Sequence, residues 1–378
     1  MRSEQLHSKI LGLVSLIGLV GLWGCSKDET AEPKTEKSTE VQLMSYVADF
    51  EEVNETNEAN GLRRAWTPPT GYSVFDVGEK SISVFFTQGT TPGDERFFYT
   101  NSGKWRVSGD EMTAGTYYLY GYTPHDKSIT STVSVLPGDG KNYTHGAVLT
   151  LANIPAVSSA DFCVMIAAKN GASANEDYST SGLKRGSFEY VATGATNNYV
   201  YLLFDHLFSA LHLQMRVQGD YNNLRTIKLK ELKMQAYEGT TPKTKKMKAT
   251  ITLTANGAGN DPITGVTFEP YGTETESGSV FTSEEGQELD ADYQEFTGHF
   301  MPQGVTNVIL ESTYDVYDKK GNLVRAGCTA KNKLNLSMFS GQTQALRGCK
   351  YTVNLTINPT YLYMLSEPDL DNPTVTLE

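Results

Sequence analysis

Cysteine is scarce: the 378 residues hold four, at positions 25, 163, 328 and 349. So few thiols exclude a dense disulfide framework, and no Cys/His cluster has the short ligand spacing of a zinc site. Long hydrophobic runs are also missing. The one apolar stretch near the start, residues 10–20, falls well short of the roughly 20 residues that a bilayer-spanning helix needs. Long helical periodicity is absent, and there is no internal repeat of fixed period. The motifs of common catalysts are lacking: no G-x-S-x-G elbow, no H-E-x-x-H and no Walker loop. Gly138-Asp139-Gly140-Lys141 has neither the spacing nor the Ser/Thr of a phosphate loop. Paired glycosidase carboxylates cannot be singled out among so many acidic loop residues. The expectation is a protein that is not an enzyme and needs no cofactor or metal. Positive charge is in deficit, 32 Lys+Arg against 44 Asp+Glu for a net charge of −12, which argues against a nucleic-acid partner.

What is present begins at the N-terminus. Arg2 and Lys9 precede the short apolar run, and Leu22-Trp23-Gly24-Cys25 then has the form of a lipobox. Residues 1–24 read as a lipoprotein signal peptide and Cys25 as the lipidation site. Acyl chains contribute about 0.8 kcal/mol per buried CH₂, so a multiply acylated cysteine anchors a protein to the outer membrane where one chain would not. Ser26-Lys27-Asp28-Glu29 is either a charged export signal to the outer leaflet or a solvated linker.

Residues 26–40 have the composition of a solvated tether. In residues 41–50, Val41 and Leu43 alternate as in a strand, whereas Met44, Val47 and Phe50 would also mark a helix face. An acidic, Asn-rich stretch leads to Arg63-Arg64, followed by Trp66, Pro68 and Pro69. A dibasic pair in an exposed loop is a ready substrate for a trypsin-like protease.

From residue 81 onward the pattern is strand after strand: 81–87, 96–100, 104–107, 116–123, 129–135, 147–151, 162–167 and 199–217. Asn101-Ser102-Gly103 reads as a hairpin turn. A turn at 219–223 marks an expected domain boundary, and further strands follow at 224–234, 249–255, 265–269, 308–314, 323–326 and 351–357. The expectation is an all-β chain of two Greek-key β-sandwich domains in tandem, residues 65–219 and 220–378, after a 25–64 tether and propeptide.

Several residues invite a role. His206 reads foremost as a packed, hydrogen-bonded histidine, with His212 six residues on and able to share its strand face. Cys163 reads as a small core residue; Cys328 and Cys349 would pair if their strands were neighbours. The tyrosine row at 116–123 is either a sugar-stacking platform or a strand alternating between core and surface. Lys228, Lys230, Lys233 and the lysines of 243–248 read as a solvated face. The acidic residues Glu284, Glu285, Glu288, Asp290, Asp292 and Glu295 read as a solvated loop rather than a calcium site.

Three motifs together resemble the fimbrillin family, the type V pilins. These are Thr116-Tyr-Tyr-Leu-Tyr-Gly-Tyr-Thr-Pro124, Leu203-Phe204-Asp205-His206-Leu207-Phe208, and Gly348-Cys-Lys-Tyr351 followed by alternating Val353, Leu355 and Ile357. The resemblance implies two transthyretin-like sandwiches and export as a surface lipoprotein. It also implies cleavage by an Arg-specific surface protease and polymerisation with other pilin subunits by donor-strand exchange, a form of β-augmentation. Residues 41–50 would be the removed strand and Arg63 or Arg64 the cleavage residue. Leu362, Met364, Val375 and Leu377 would lie in the C-terminal donor segment, 361–378. The mature subunit would sit in fimbriae and contribute to adhesion to a host or bacterial ligand. The alternative is an unpolymerised, lipid-anchored glycan- or host-binding lipoprotein (or a tip adhesin or anchor pilin), using Trp105, Tyr117, Tyr118 and Tyr120 on sugar.

Overall fold

A computed structural model of the chain describes residues 38–53, 72–74, 80–138, 142–171, 185–194, 196–255, 261–339 and 342–357. Cys25, Arg63, Arg64, Leu362, Met364, Val375 and Leu377 lie outside them, as do the signal peptide and the 361–378 segment. The chain is all-β. Its first half contains β1 (Ser38–Ala48), β2 (Glu51–Val53), β3 (Tyr72–Val74), β4 (Lys80–Thr87), β5 (Glu95–Asn101), β6 (Lys104–Ser108) and β7 (Gly115–Thr123). Then come β8 (Thr130–Val135), β9 (Gly146–Pro155), β10 (Val157–Ser158), β11 (Cys163–Asn170), β12 (Glu189–Ala192), β13 (Asn198–His206) and β14 (Ser209–Val217). After a single helical turn, α1 (Gly219–Asn222), come β15 (Arg225–Glu238), β16 (Thr241–Pro242), β17 (Lys246–Thr254), β18 (Ile263–Pro270) and β19 (Gly278–Leu289). The last are β20 (Gln294–Phe300), β21 (Asn307–Asp318), β22 (Leu323–Asn335) and β23 (Cys349–Ile357). No helix among the described residues is long and apolar enough to cross a membrane.

The largest sheet runs β11-β13-β1-β6-β5-β4-β7-β12, and a second pairing of β7 with β11 at Tyr122 and Thr123 closes seven of these strands into a ring. Period-two alternation then assigns each strand an inner and an outer face. The inner residues are Val41, Leu43, Ile82, Val84, Phe86, Phe98, Val107, Leu119, Met165, Val200, Leu202 and Phe204, which form one buried cluster. The outer ones, among them Tyr46, Phe85, Tyr120, Tyr122, Ile166 and Leu203, pack against a four-stranded sheet β18-β17-β9-β8 through Leu149, Leu151, Ile251 and Leu253. Two positions show how tightly the ring is specified. Ser102 and Gly103 adopt left-handed backbone (φ 52° and 74°) in the tight turn between β5 and β6, which the Ser-Gly pair suits. At Gly121 of β7, a Cβ would lie 2.3 Å from the Ser83 carbonyl oxygen, so no side chain fits.

The second sandwich faces a five-stranded sheet β10-β20-β14-β23-β2 with another built from β16-β15-β21-β22, to which β19 adds against β15. Leu211, Leu213, Leu229, Met234, Leu310, Phe300 and Tyr351 lie in its core. Two sheets draw strands from both sides of the expected boundary at 219–220. β17 and β18 cover the barrel, while β2, β10 and β14 belong to the second sandwich. The stretch read as one strand over 199–217 is two. β13 ends at His206, and Leu207-Phe208 carries the chain into β14 of the other sandwich. His206 and His212 therefore share no face; His212 lies beside Glu295, 3.8 Å away.

One other expectation changes. The acidic stretch from Glu284 is mostly strand, since β19 reaches Leu289 before the turn at Asp290–Asp292. The lysine faces carry acidic partners: Lys233 with Glu231, Lys243 with Glu238, Lys245 with Glu276 and Lys248 with Glu269. These exposed pairs contribute little stability each.

Candidate functional site: the seat of the first strand

Residues 41–50 carry a strand, not a helix, and its neighbours fill both sides. β1 pairs parallel with β13 from Val41 to Val47, antiparallel with β6 from Ser38 to Val41, and antiparallel with β3 from Tyr46 to Ala48. One face is buried along the strand, and the other is buried from Tyr46 to Ala48 while Gln42 stays exposed. Val41 and Leu43 point into the barrel, and Tyr46 points into the layer beneath the covering sheet. Each such side chain stabilises the seated strand by about 1.5–3 kcal/mol. At the entry end, the buried Thr39 hydroxyl accepts from Met112 N–H at 2.7 Å, and Glu40 meets Lys104 at 2.9 Å.

The exit end, exposed at Asp49, is met by buried polar groups. Ala48 is followed by Asp49 and Phe50, after which β2 pairs parallel with β23 over only Cys349 to Tyr351. His206, at the end of β13, reaches this exit. Its Nε2 is 2.6 Å from the Ala48 carbonyl oxygen and its Nδ1 is 2.7 Å from Asp161 Oδ2. Cys163 Sγ donates to the same Asp161 oxygen at 3.3 Å and is 3.6 Å from His206 Nδ1. Burial opposes charge on the His206 ring, but the Asp161 hydrogen bond and charge, with Asp205 and the Ala48 carbonyl, outweigh it and raise the pKa above the ordinary 6.5. Burial likewise would raise the Asp161 pKa, yet the His206 hydrogen bond and charge hold it below the usual carboxylate value.

Asp161, Cys163 and His206 bring three ligand atoms close enough for a metal. Burial pushes the Cys163 thiol well up, which disfavours the thiolate a metal requires, and the Asp161–His206 hydrogen bond already uses both partners. Cys163 is a core residue as expected, at 0% exposure. Cys328 and Cys349 lie on strands of different sheets and form no disulfide.

Beside His206 lies a charge-balanced network. Asp205 Oδ1 accepts the His206 backbone N–H at 2.8 Å; its other oxygen is 3.0 Å from Arg185 and 3.2 Å from Arg347. Arg347 continues to Asp261 at 2.6 Å and donates to the His206 carbonyl at 3.1 Å. Two arginines and two aspartates thereby fasten the end of the barrel strand to the segments before β18 and β23. Nothing in the Asp205-His206 dipeptide revealed these partners, which come from positions 20 to 142 residues away.

The tyrosine row of β7 does not form a sugar platform. Tyr117 lies in the barrel core, and Tyr120 is fully buried with its hydroxyl on the Tyr143 carbonyl at 2.5 Å. Tyr118 is half-buried, and Trp105 packs against the barrel core.

No protein-family model matches this chain, and no curated protein matches it. Among solved structures it is similar to a candidate cell adhesion protein of Bacteroides uniformis, at 10% identity and TM-score 0.35, over 85% of this chain and 93% of that one. A candidate cell adhesion protein of Bacteroides fragilis gives 12% identity and TM-score 0.39, over 84% and 93%. A fimbrial protein of Bacteroides ovatus gives 9% identity and TM-score 0.31, over 85% of this chain and 50% of that one.

Proposed function

We propose that this chain is the precursor of a structural subunit of surface fimbriae. In this reading it is exported as an outer-membrane lipoprotein on Cys25 and cut by an Arg-specific protease at Arg63 or Arg64. It then polymerises when a neighbouring subunit's strand replaces β1. The subunit acts in adhesion, performs no catalysis and uses no cofactor.

The observation that carries the reading is the position of β1. It precedes the arginine pair in the chain yet forms an interior stave of the barrel, with its inner face buried and a strand on each side. A cut at Arg63 or Arg64 would make β1 and β2 a separate peptide. Its departure would bare the edges of β13 and β6 together with an apolar slot, the arrangement that β-augmentation requires. The alternation of Val375 and Leu377, and of Leu362 and Met364, suits a one-faced donor strand for that slot. With Tyr117 and Tyr120 buried, the glycan-binding alternative loses two of its stacking residues.

The test is an Arg63→Ala/Arg64→Ala double mutant compared with the unaltered protein on unheated gels. A heat-sensitive ladder that is lost in the mutant is expected. A ladder that persists, or none in either protein, would sink the reading.

A further inference from the structure

His206 meets the first strand with two acceptors at once. The Ala48 carbonyl oxygen lies 2.6 Å from Nε2 and the Asp161 carboxylate 2.7 Å from Nδ1, so the ring donates from both nitrogens, as an imidazolium does. The Phe50 ring stacks on that imidazole at 3.5 Å between centroids and 16° between planes, and it also lies 6.0 Å from the His299 ring. An aromatic face over a cationic ring is attractive in its own right. His206 is buried to 2% exposure and His299 to 8%, and His299 Nδ1 has no hydrogen-bond partner among the described residues.

We propose that His206, Asp161 and His299 form a recognition pocket for a β-strand, which selects a backbone carbonyl followed two residues later by an aromatic ring. In the intact chain Ala48 and Phe50 occupy it. For the partner, this inference rests on the polymerisation reading: an entering strand must offer the same pair to fill the same pocket. The candidate donor stretch contains Tyr361 and Tyr363 at alternate positions, which is the required chemistry.

The charges facing the ring determine how the pocket responds to pH. Asp161 comes from the connection before β11, Cys163 from β11, Asp205 from β13 itself, His299 from β20 and Arg347 from the segment before β23. Asp205 is already paired with Arg185 and Arg347, which leaves Asp161 as the counter-charge of the imidazolium. Burial lowers the His299 pKa below 6.5, and the charge of His206 pushes it the same way, so a second cation is disfavoured beside the first. For His206 the occupied pocket raises the pKa, so the hold on the strand is complete below the ordinary value of 6.5 and is lost as pH rises through the raised one.

Amide hydrogen exchange on the full chain, corrected for intrinsic rates, tests this at about pH 5.5 and about pH 8.5. Protection of residues 41–50 is expected to fall by about tenfold at the higher pH, the scale of one charge-assisted hydrogen bond, while β4 and β7 stay protected. His206→Gln, which keeps one donor and cannot ionise, is expected to abolish that difference. Phe50→Ala, at a half-buried position, is expected to lower protection of 41–50 at the lower pH, and it serves if the histidine variant fails to fold. Equal protection at both pH values in the unaltered chain, or no loss in Phe50→Ala, would overturn the pocket. A chain that forms ladders without this pH dependence refutes only the pocket; pH dependence without ladders refutes only polymerisation.

Discussion

The barrel and the second sandwich each receive a parallel strand from residues 38–53, but they hold it very differently. In the barrel, β1 has neighbours on both sides and buries its inner face along its length. In the second sandwich, β2 covers only the first three residues of β23. The remainder of β23 borders an apolar cleft of about 690 Å³ lined by Met215, Ile227, Leu229, Leu355 and Ile357. The ion pair of Glu52 with Lys350, at 2.5 Å, lies at the surface. One short segment is thus a structural stave at one end and a light edge contact at the other. Its retention depends on the barrel and on the His206 exit, and a subunit that exchanges this strand must give up the barrel contacts.

That contrast can be broken from either side. The largest effect is expected for Asp205→Ala, which removes the carboxylate that Arg185 and Arg347 share. Removing one partner from a buried ion network costs about 3–5 kcal/mol, and urea denaturation would register the loss. Leu43→Ala, which empties a barrel position on β1, should cost roughly 2–5 kcal/mol by the same measurement. Truncating Glu52 to Gln should change stability by less than about 1 kcal/mol, because its pair with Lys350 is solvent-screened. Were Glu52→Gln to cost as much as Leu43→Ala, the two ends would be held equally and the comparison would fail.

Much of this was legible in the chain. The runs of strand-forming Ile, Val, Phe and Tyr at 81–87 and 116–123 marked β4 and β7, because staves covered on both faces take such residues at successive positions. Ser102-Gly103 marked the hairpin, since two left-handed residues need such a pair. The crossing at Leu207-Phe208 was not legible. It contains no glycine or proline, and apolar residues continue through it because a passage between two cores is itself buried; both residues are 0% exposed. The acidic strand β19 was hidden for the opposite reason. It is paired only with β15 among the described strands and shows most of its side chains to water, so charge is tolerated there. The expectation of a hydrogen-bonded His206 held, but its partners Asp161 and Ala48 lie 45 and 158 residues away in sequence. No local pattern encodes such pairings.

The most direct test of a removable first strand is the intact mass and N-terminal sequence of the protein taken from the cell surface. The account predicts a chain that begins at Arg64 or Ala65 and lacks β1 and β2. A lipidated Cys25 still continuous with Trp66 in assembled material would contradict it.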